Sequence, residues 1–231
     1  MKKAIVTLAI GEKYENMFNT YCKNSWQKYC QIFEYDLIVI KETLDKSERA
    51  KERSLAWQKL LILSQEWSNN YDQIVWLDSD IIINYQQAND IVSLVPIEKV
   101  GAVDEYSIPS KILHDISVKR LYDYWKKCNI PYIDNLAAGD YYKNRGIPGG
   151  NLKEVVQTGV FVCSAKYHRE IFEYIYYNYE DINKTAEWNY EMPAMSYELL
   201  KSDLLEWIPN EYNYCVFTIV ASYYPFLFLR R

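Results

Sequence analysis

Two aspartates separated by one serine, Asp78-Ser79-Asp80, are the residues of this sequence best suited to metal chemistry. They directly follow the apolar run QIVWL (Gln73–Leu77), and a second apolar run, Ile81–Ile83, follows them. Carboxylate oxygens are hard ligands that favour Mg²⁺ or Mn²⁺, ions that commonly bridge a protein to substrate phosphates. The pattern therefore predicts a divalent-metal site, with solvated aspartates in a turn after a strand as the alternative.

The elements around these aspartates alternate between strand and helix patterns. Apolar runs predict strands, and the segments between them carry apolar residues at helical spacing or many good helix formers. In chain order, the predicted elements of the first half are strand Lys3–Ala9, helix Tyr14–Gln31, strand Asp36–Ile40, helix Glu48–Ser68, strand Gln73–Leu77 and strand Val100–Val103. This order predicts an α/β fold with a mostly parallel central sheet flanked by helices.

The end of the first predicted strand is expected to lie close to the acidic pair. In open α/β sheets, ligands bind at the carboxyl ends of the strands. Leu8–Gly11 ends the first strand, and Asp78–Asp80 ends the third. Both segments are therefore predicted to lie on one edge of the sheet and to face one cleft.

The second half of the chain has a different pattern. Ile130–Asn151 contains several glycines and is predicted as a loop. Val155–Cys163 is predicted as a strand whose glycine, Gly159, marks a close approach of another group. The remaining predicted elements are helix Tyr167–Tyr179, helix Met195–Leu205 and strand Leu205–Ile208. No internal repeat or low-complexity linker divides the chain, which predicts a single domain.

Composition excludes several classes of protein. The 231 residues are 49% hydrophobic, which is in the globular range and excludes a disordered chain. The net charge of -5 argues against a protein that binds nucleic acid through the phosphate backbone. The 5 cysteines form no CxxC motif, and no apolar run is long enough to span a membrane. Because the start also lacks a signal-peptide pattern, these features predict a cytoplasmic protein.

The segment YDQIVWLDSDIIIN resembles the DxD segment of GT-A glycosyltransferases. The likeness is greatest to the family of glycogenin and the bacterial galactosyl- and glucosyltransferases, and weaker to the galactomannan and xyloglucan transferases. Three more segments match that family in the same order: LAWQKLLIL, VQTGVFVC and EMPAMSYELLKSDLLEWIPNEYNY. Together the matches extend from Lys3 to Tyr214, and the order of four weak motifs makes the resemblance fairly specific.

The resemblance implies a GT-A fold in one catalytic domain over residues 1–231, with a nucleotide-binding half (1–103) and an acceptor-binding half (104–231). It also implies transfer of a hexosyl or deoxyhexosyl group from a nucleotide-diphosphate donor, most simply a UDP-sugar, to a saccharide or glycoprotein glycan. The implied cofactor is Mn²⁺ or Mg²⁺, since a divalent ion stabilises the charge that develops on the departing diphosphate.

By the same resemblance, individual residues take roles in the site. Asp80 is a metal ligand, and Asp78 binds metal, ribose or both. Lys59 supplies positive charge near the diphosphate or the sugar, and Tyr14 stacks on the base. Glu191 lies near the reacting sugar, where it orients the acceptor or acts as a general base. Other carboxylates that compete for this role are Asp104, Glu105 and Asp140. The remaining implied donor-binding residues are Leu8, Ala9, Ile10, Gly11, Ser79 and Gln157.

The sequence also departs from the family pattern. Family members supply a third metal ligand, a histidine, after the Tyr-Asn segment, and neither His114 nor His168 lies there. Three explanations stay open: more water on the metal, another side chain as ligand, or a chain that is one domain of a longer protein. Glu191-Met192 replaces the family's Asp-Gln, and Gln157 replaces its asparagine. His168 is predicted to be a surface or helix-start histidine.

Two other functions compete with sugar transfer. A nucleotidyltransferase that makes sugar nucleotides shares this sheet class, but it normally has a glycine-rich phosphate loop after the first strand. The segment LAIGEKYENM offers only one glycine and one lysine there. A carbohydrate-binding module would suit the 23 tyrosines, but such modules are usually β-sandwiches, which the alternating strand and helix pattern argues against.

Overall fold

The computed structural model describes residues 1–132, 135–180, 190–216 and 220. Within them the strands are β1 (Lys3–Leu8), β2 (Tyr35–Ile40), β3 (Gln73–Leu77), β4 (Val100–Asp104), β5 (Val156–Cys163) and β6 (Leu205–Trp207). The α-helices are α1 (Glu12–Met17), α2 (Lys23–Phe33), α3 (Glu48–Lys51), α4 (Lys111–Lys127), α5 (Ala138–Lys143), α6 (Ala165–Asn178) and α7 (Met192–Lys201). None of the described helices is long and apolar enough to cross a membrane.

The described strands form one six-stranded sheet in the order β2-β1-β3-β5-β4-β6. The pairs β1–β2, β1–β3 and β4–β6 are parallel, whereas β5 runs antiparallel to both β3 and β4. The sheet is therefore mixed, with only β5 reversed, and helices flank it. This confirms the predicted α/β class.

Two layers of apolar side chains cover the two faces of the sheet. All five residues of β3 are buried, and they alternate between the faces: Trp76 contributes to one core cluster, and Val75 and Leu77 contribute to the other. A strand that is buried on both faces reads as a continuous apolar run, which is why QIVWL was recognisable in the sequence. The position of β3 inside the sheet fixes the residues that directly follow it.

The prediction of one α-helix over Glu48–Ser68 is wrong, because most of this segment is 3₁₀ helix. The chain forms the four-residue helix α3, and a 3₁₀ segment, Leu55–Ser64, begins after Ser54, whose side chain accepts a hydrogen bond from the backbone N–H of Ala56. A second 3₁₀ segment, Glu66–Asn70, follows. Residues 57–63 are all buried, so packing on every side, rather than intrinsic helix propensity, decides the local backbone.

Other elements refine the predictions. The predicted helix Tyr14–Gln31 is α1 and α2 joined by a π-helical turn, Phe18–Cys22. The predicted loop Ile130–Asn151 contains helix α5, and residues 133–134 lie outside the described part. Helix α4 had no sequence-based prediction. Most of the C-terminal run CVFTIVASYYPFLFLRR also lies outside the described residues.

His168 lies in the first turn of α6, as predicted for a helix-start histidine, but it is buried. Its Nδ1 accepts a hydrogen bond from the backbone N–H of Ser164 at 2.9 Å, so Nε2 carries the proton that faces the Glu98 carbonyl oxygen at 3.0 Å. Burial lowers the pKa of His168, which keeps the ring neutral. This histidine therefore joins the start of α6 to the Glu98 carbonyl group, and it does not line the cleft.

Candidate active site

A cleft of about 700 Å³ opens at the edge of the sheet where β1 and β3 end. Both predicted segments reach it: Leu8 and Ile10 line it from the end of β1, and the three residues of the acidic motif line it from the end of β3. Further lining residues are Lys13, Tyr14, Lys59, Trp76, Gln157, Thr158, Gly159, Tyr190, Glu191 and Met192. The expectation that the two strand ends face one cleft agrees with this arrangement.

Asp78 is held in place by both its backbone and its side chain. Its N–H donates to the Gly159 carbonyl oxygen at 2.8 Å, and its Oδ1 accepts from Trp76 Nε1 at 2.8 Å and from Lys59 Nζ at 3.0 Å. Because Oδ1 has two donors, Oδ2 is the oxygen of Asp78 that remains for a ligand. The strand end thus presents this oxygen in a fixed direction.

The ionised form of Asp80 is electrostatically unfavourable when no cation is present. Desolvation and the negative charge of Asp78 raise the pKa of Asp80, and the charge of Lys59 opposes this only in part. Two carboxylates this close in sequence repel each other in their ionised forms. A divalent cation between them would remove that repulsion, so the pair is suited to bind one.

Lys59 connects the acidic motif to Glu191. Its buried Nζ lies 3.0 Å from Asp78 Oδ1 and 2.9 Å from Glu191 Oε1, and it donates to the Thr158 carbonyl oxygen at 3.2 Å. Burial lowers the pKa of Lys59, but the two carboxylates outweigh burial, so the pKa is raised above its ordinary value. Lys59 is therefore a permanent cation that neutralises two acids at once.

Glu191 directly precedes helix α7, and its side chain is only 3% exposed. Its Oε1 accepts from Lys59 Nζ and from the Thr158 hydroxyl, the latter at 2.7 Å. No hydrogen bond or ion pair of Oε2 with another described residue is seen. The position of Glu191 directly before α7 also favours a negative charge, because the helix dipole is positive at that end. Glu191 is thus fixed through one oxygen, while the other is left for a group in the cleft.

Gly159 lets three side chains come together beside the acidic motif. A Cβ at this position would lie 3.0 Å from Gln157 Oε1, 3.3 Å from Asp78 Oδ2 and 3.6 Å from Asn213 Nδ2. Asn213 Nδ2 donates to Gln157 Oε1 at 2.8 Å. The close approach predicted at this glycine is therefore seen, and it involves Asn213, which the sequence reasoning did not name as a site residue.

The other predicted donor-binding residues differ in their exposure. Tyr14 is 46% exposed on the cleft wall, and Lys13 Nζ lies 5.7 Å from the centroid of its ring. Ala9 is buried, and its N–H donates to the Ile40 carbonyl oxygen. Gly11 turns the chain from β1 into α1 with a φ of 88°, a conformation that favours glycine. Neither Ala9 nor Gly11 lines the cleft.

All three competing carboxylates, Asp104, Glu105 and Asp140, lie outside the cleft lining. Asp140 is an exposed residue of the short helix α5. Asp104 caps the turn after β4: Oδ1 accepts from the N–H groups of Tyr106 and Val155, and Oδ2 accepts from the Ser107 hydroxyl. The structure brings neither Asp140 nor Asp104 to Asp78, and Glu191 is the candidate that it does bring there.

No group of three histidine, cysteine, aspartate or glutamate residues that could hold a metal is found in the described part of the chain. His114 packs on Tyr106 and Asp115, away from the cleft. The acidic motif supplies two carboxylates, and the side-chain amides of Gln157 and Asn213 lie next to it. The third ligand that family members take from histidine therefore has no histidine counterpart among the described residues.

The mixed sheet and its flanking helices define a GT-A-type glycosyltransferase fold. Among solved structures, the chain is similar to the bifunctional glycosyltransferase WbbM in its apo form, with 17% identity and a TM-score of 0.51 over 91% of this chain and 39% of that one. This likeness shows the fold, and the glycogenin family itself remains an inference from the motifs.

Two further similar structures have lower TM-scores. One is a glycosyltransferase involved in the glycosylation of the major capsid of PBCV-1, with 17% identity and a TM-score of 0.48 over 89% of this chain and 81% of that one. The other is GlyE from Streptococcus pneumoniae TIGR4, with 14% identity and a TM-score of 0.48 over 100% of this chain and 52% of that one. No protein-family model matches the sequence, and no curated protein matches it.

Proposed function

We propose that this chain is a metal-dependent glycosyltransferase that moves a sugar from a nucleotide-diphosphate donor, a UDP-sugar, to a saccharide or glycoprotein glycan. The observation that carries the proposal is the buried Lys59, which joins the acidic motif to Glu191 in one cleft at the strand ends. Such a cleft holds both the charge needed for a diphosphate site and a carboxylate for the acceptor side.

The donor set fits a divalent cation. Asp78 Oδ2 and the carboxylate of Asp80 are hard oxygens, and the raised pKa of Asp80 is the expected sign of an acidic pair that needs a cation. When bound, Mg²⁺ or Mn²⁺ supplies positive charge to the leaving diphosphate. Lys59 holds Asp78 in position for this, and Tyr14, a partly exposed residue of the cleft wall, would stack on the base.

Nucleotidyl transfer is the less favoured alternative. The turn after β1 contains a single glycine, Gly11, and so lacks the glycine-rich loop that would cradle a triphosphate. Glu191 at the cleft also has no evident task in that reaction. A carbohydrate-binding β-sandwich is not compatible with the mixed α/β sheet.

A thermal-shift screen of nucleotides and nucleotide sugars, with and without Mn²⁺, tests the proposal. We expect stabilisation by a nucleoside diphosphate or its sugar only when Mn²⁺ is present, by about 2.7 kcal/mol when the ligand concentration is a hundred times Kd. Turnover of a nucleoside triphosphate with a sugar phosphate would instead establish the nucleotidyltransferase. Absence of any nucleotide binding would refute both functions.

Exchange of Glu191 for glutamine keeps its size and its contact with Thr158 but removes charge and basicity. If Glu191 is the general base, kcat should fall by about 10²–10⁴, and donor affinity should hardly change. A rise confined to the acceptor KM would assign Glu191 an orienting role instead. Asp140→Asn is the comparison: its side chain lies outside the cleft lining, so its kinetics should match those of the wild type. Wild-type kinetics in Glu191→Gln would contradict both roles.

A further inference from the structure

The acidic motif lies in a turn that is completed by Ile81. The Ile81 N–H donates to the Asp78 carbonyl oxygen at 3.1 Å, so Ser79 and Asp80 are the two central residues of this turn. Asp78 is held by its backbone and its side chain, whereas the carboxylate of Asp80 makes no hydrogen bond or ion pair with another described residue. The position of Asp80 therefore depends on how firmly Ile81, the other end of the turn, is held.

Trp26 of helix α2 holds this end of the turn. Its side chain is fully buried, and its Nε1–H donates to the Ile81 carbonyl oxygen at 2.8 Å. The ring of Phe18, in the π-helical turn before α2, packs edge-on against the indole, with 5.0 Å between the ring centroids. The indole nitrogen can only donate, and a buried indole N–H needs an acceptor. The contact with Ile81 is therefore fixed in direction as well as in position.

Two other side chains of α2 bind the segment that follows the turn. Ser25 Oγ accepts from the Ile83 N–H at 3.3 Å. The Tyr29 hydroxyl donates to the Asn89 carbonyl oxygen at 2.8 Å and accepts from the Ile91 N–H at 3.0 Å. The chain after the acidic motif is thus fastened to α2 at successive points, and the bond from Trp26 is the one that reaches the turn itself.

We propose that Trp26 is a positioning residue for the divalent cation, because its bond to the Ile81 carbonyl group fixes the turn in which Asp80 stays beside Asp78. The two carboxylates repel each other when both are ionised, and a turn held only at Asp78 can relax by moving Asp80 away. A cation that needs both carboxylates then binds more weakly, because it first has to bring them together. This inference rests on the proposed function for the identity of the metal ligands.

Calorimetric titration of Mn²⁺ in the presence of UDP tests this role. Trp26→Phe keeps an aromatic ring but removes the donor to Ile81, so the Mn²⁺ affinity should fall about 10–100-fold, the usual effect of losing a group that orients a metal ligand. Incorporation of 3-benzothienylalanine in place of Trp26 replaces only the indole N–H by sulfur. This isostere keeps the volume of the core, and it should lose affinity to the same extent.

Tyr29→Phe is the matched control for these variants. It removes a buried hydroxyl of the same helix whose partners, Asn89 and Ile91, lie well beyond the turn, so its Mn²⁺ affinity should equal that of the wild type. Wild-type affinity in the isostere would show that the indole N–H does not position the turn, and it would overturn the proposal. An equal loss of affinity in Tyr29→Phe would also overturn it.

Hydrogen exchange in the metal-free protein tests the positioning of the turn separately from the proposed function. Loss of the Trp26 donor should speed exchange of the Ile81 amide about fivefold and leave the Ile91 amide unchanged, whereas Tyr29→Phe should do the reverse. Faster exchange of both amides in both variants would indicate a general loss of stability and would refute the inference, as would unchanged exchange at Ile81. If the exchange pattern is as expected but the wild type binds no Mn²⁺ with UDP, the proposed function fails while the positioning of the turn stands.

Discussion

Replacing Asp80 by alanine is expected to abolish the metal-dependent binding of a nucleoside diphosphate while leaving the metal-free protein folded. Changes to groups that only orient metal ligands already cost 10–100-fold in affinity, so loss of a carboxylate ligand should cost more than about 100-fold. Titration calorimetry of Mn²⁺ in the presence of UDP measures this directly.

The stability of Asp80→Ala without metal should not fall together with its affinity for the metal. Because the pKa of Asp80 is raised in the folded state, folding disfavours its charged form, and removing the carboxylate relieves the repulsion with Asp78. The free energy of unfolding without metal should therefore be unchanged within about 0.5 kcal/mol, or slightly higher. Asp123→Ala, an exposed change on α4, is the control and should bind like the wild type. Unchanged Mn²⁺ affinity in Asp80→Ala would remove the acidic motif from the metal site.

The features of the site that were predictable are those encoded locally. The run QIVWL is apolar because β3 is buried on both faces, and the switch to Asp78-Ser79-Asp80 marks the point where the strand leaves the core. The end of β1 at Leu8 could be placed beside it because parallel neighbours end on the same edge. Local composition and one rule of topology were sufficient for this part of the cleft.

The features that were missed depend on contacts between distant parts of the chain. The reversed direction of β5 could not be recognised from the sequence, because an apolar strand that is buried on both faces reads the same in either direction. The reversal places the start of β5, with Gln157 and Thr158, at the cleft. Asn213 reaches Gln157 from the far end of the chain. The good helix formers of 48–68 predicted one helix, but burial of the whole run from Trp57 to Leu63 imposed 3₁₀ geometry instead.

The position of Lys59 was predictable from a local motif, but its contacts depend on distant parts of the chain. The resemblance indicated a basic residue facing the donor, but nothing in the sequence indicated that this lysine would be buried and paired with two acids. A lysine within the apolar run LAWQKLLIL is compatible with the core only because Asp78 and Glu191 meet it there. Lys59 is therefore expected to contribute to the stability of the fold as well as to the site.

Exchange of Lys59 for methionine is expected to destabilise the protein by about 3–5 kcal/mol, because it leaves the buried Glu191 without its counter-charge. Since the pKa of Lys59 is raised in the folded state, its stabilisation is fully present below the ordinary lysine pKa of 10.5 and is lost only as the pH rises above it. Chemical denaturation at pH 7 therefore captures the whole effect. Lys46→Met removes only the exposed pair with Glu42, so its stability should stay close to that of the wild type.

The partner of Lys59 can be identified by adding a second change. Glu191→Gln in the Lys59→Met background removes the uncompensated charge, so the double variant should be more stable than Lys59→Met alone. Equal stability of Lys59→Met and the wild type would show that the lysine is not a buried counter-ion. If the losses of stability from the two changes add, Lys59 and Glu191 do not stabilise each other. Lys59 would then be a counter-ion of Asp78 alone and would not link the acidic motif to Glu191.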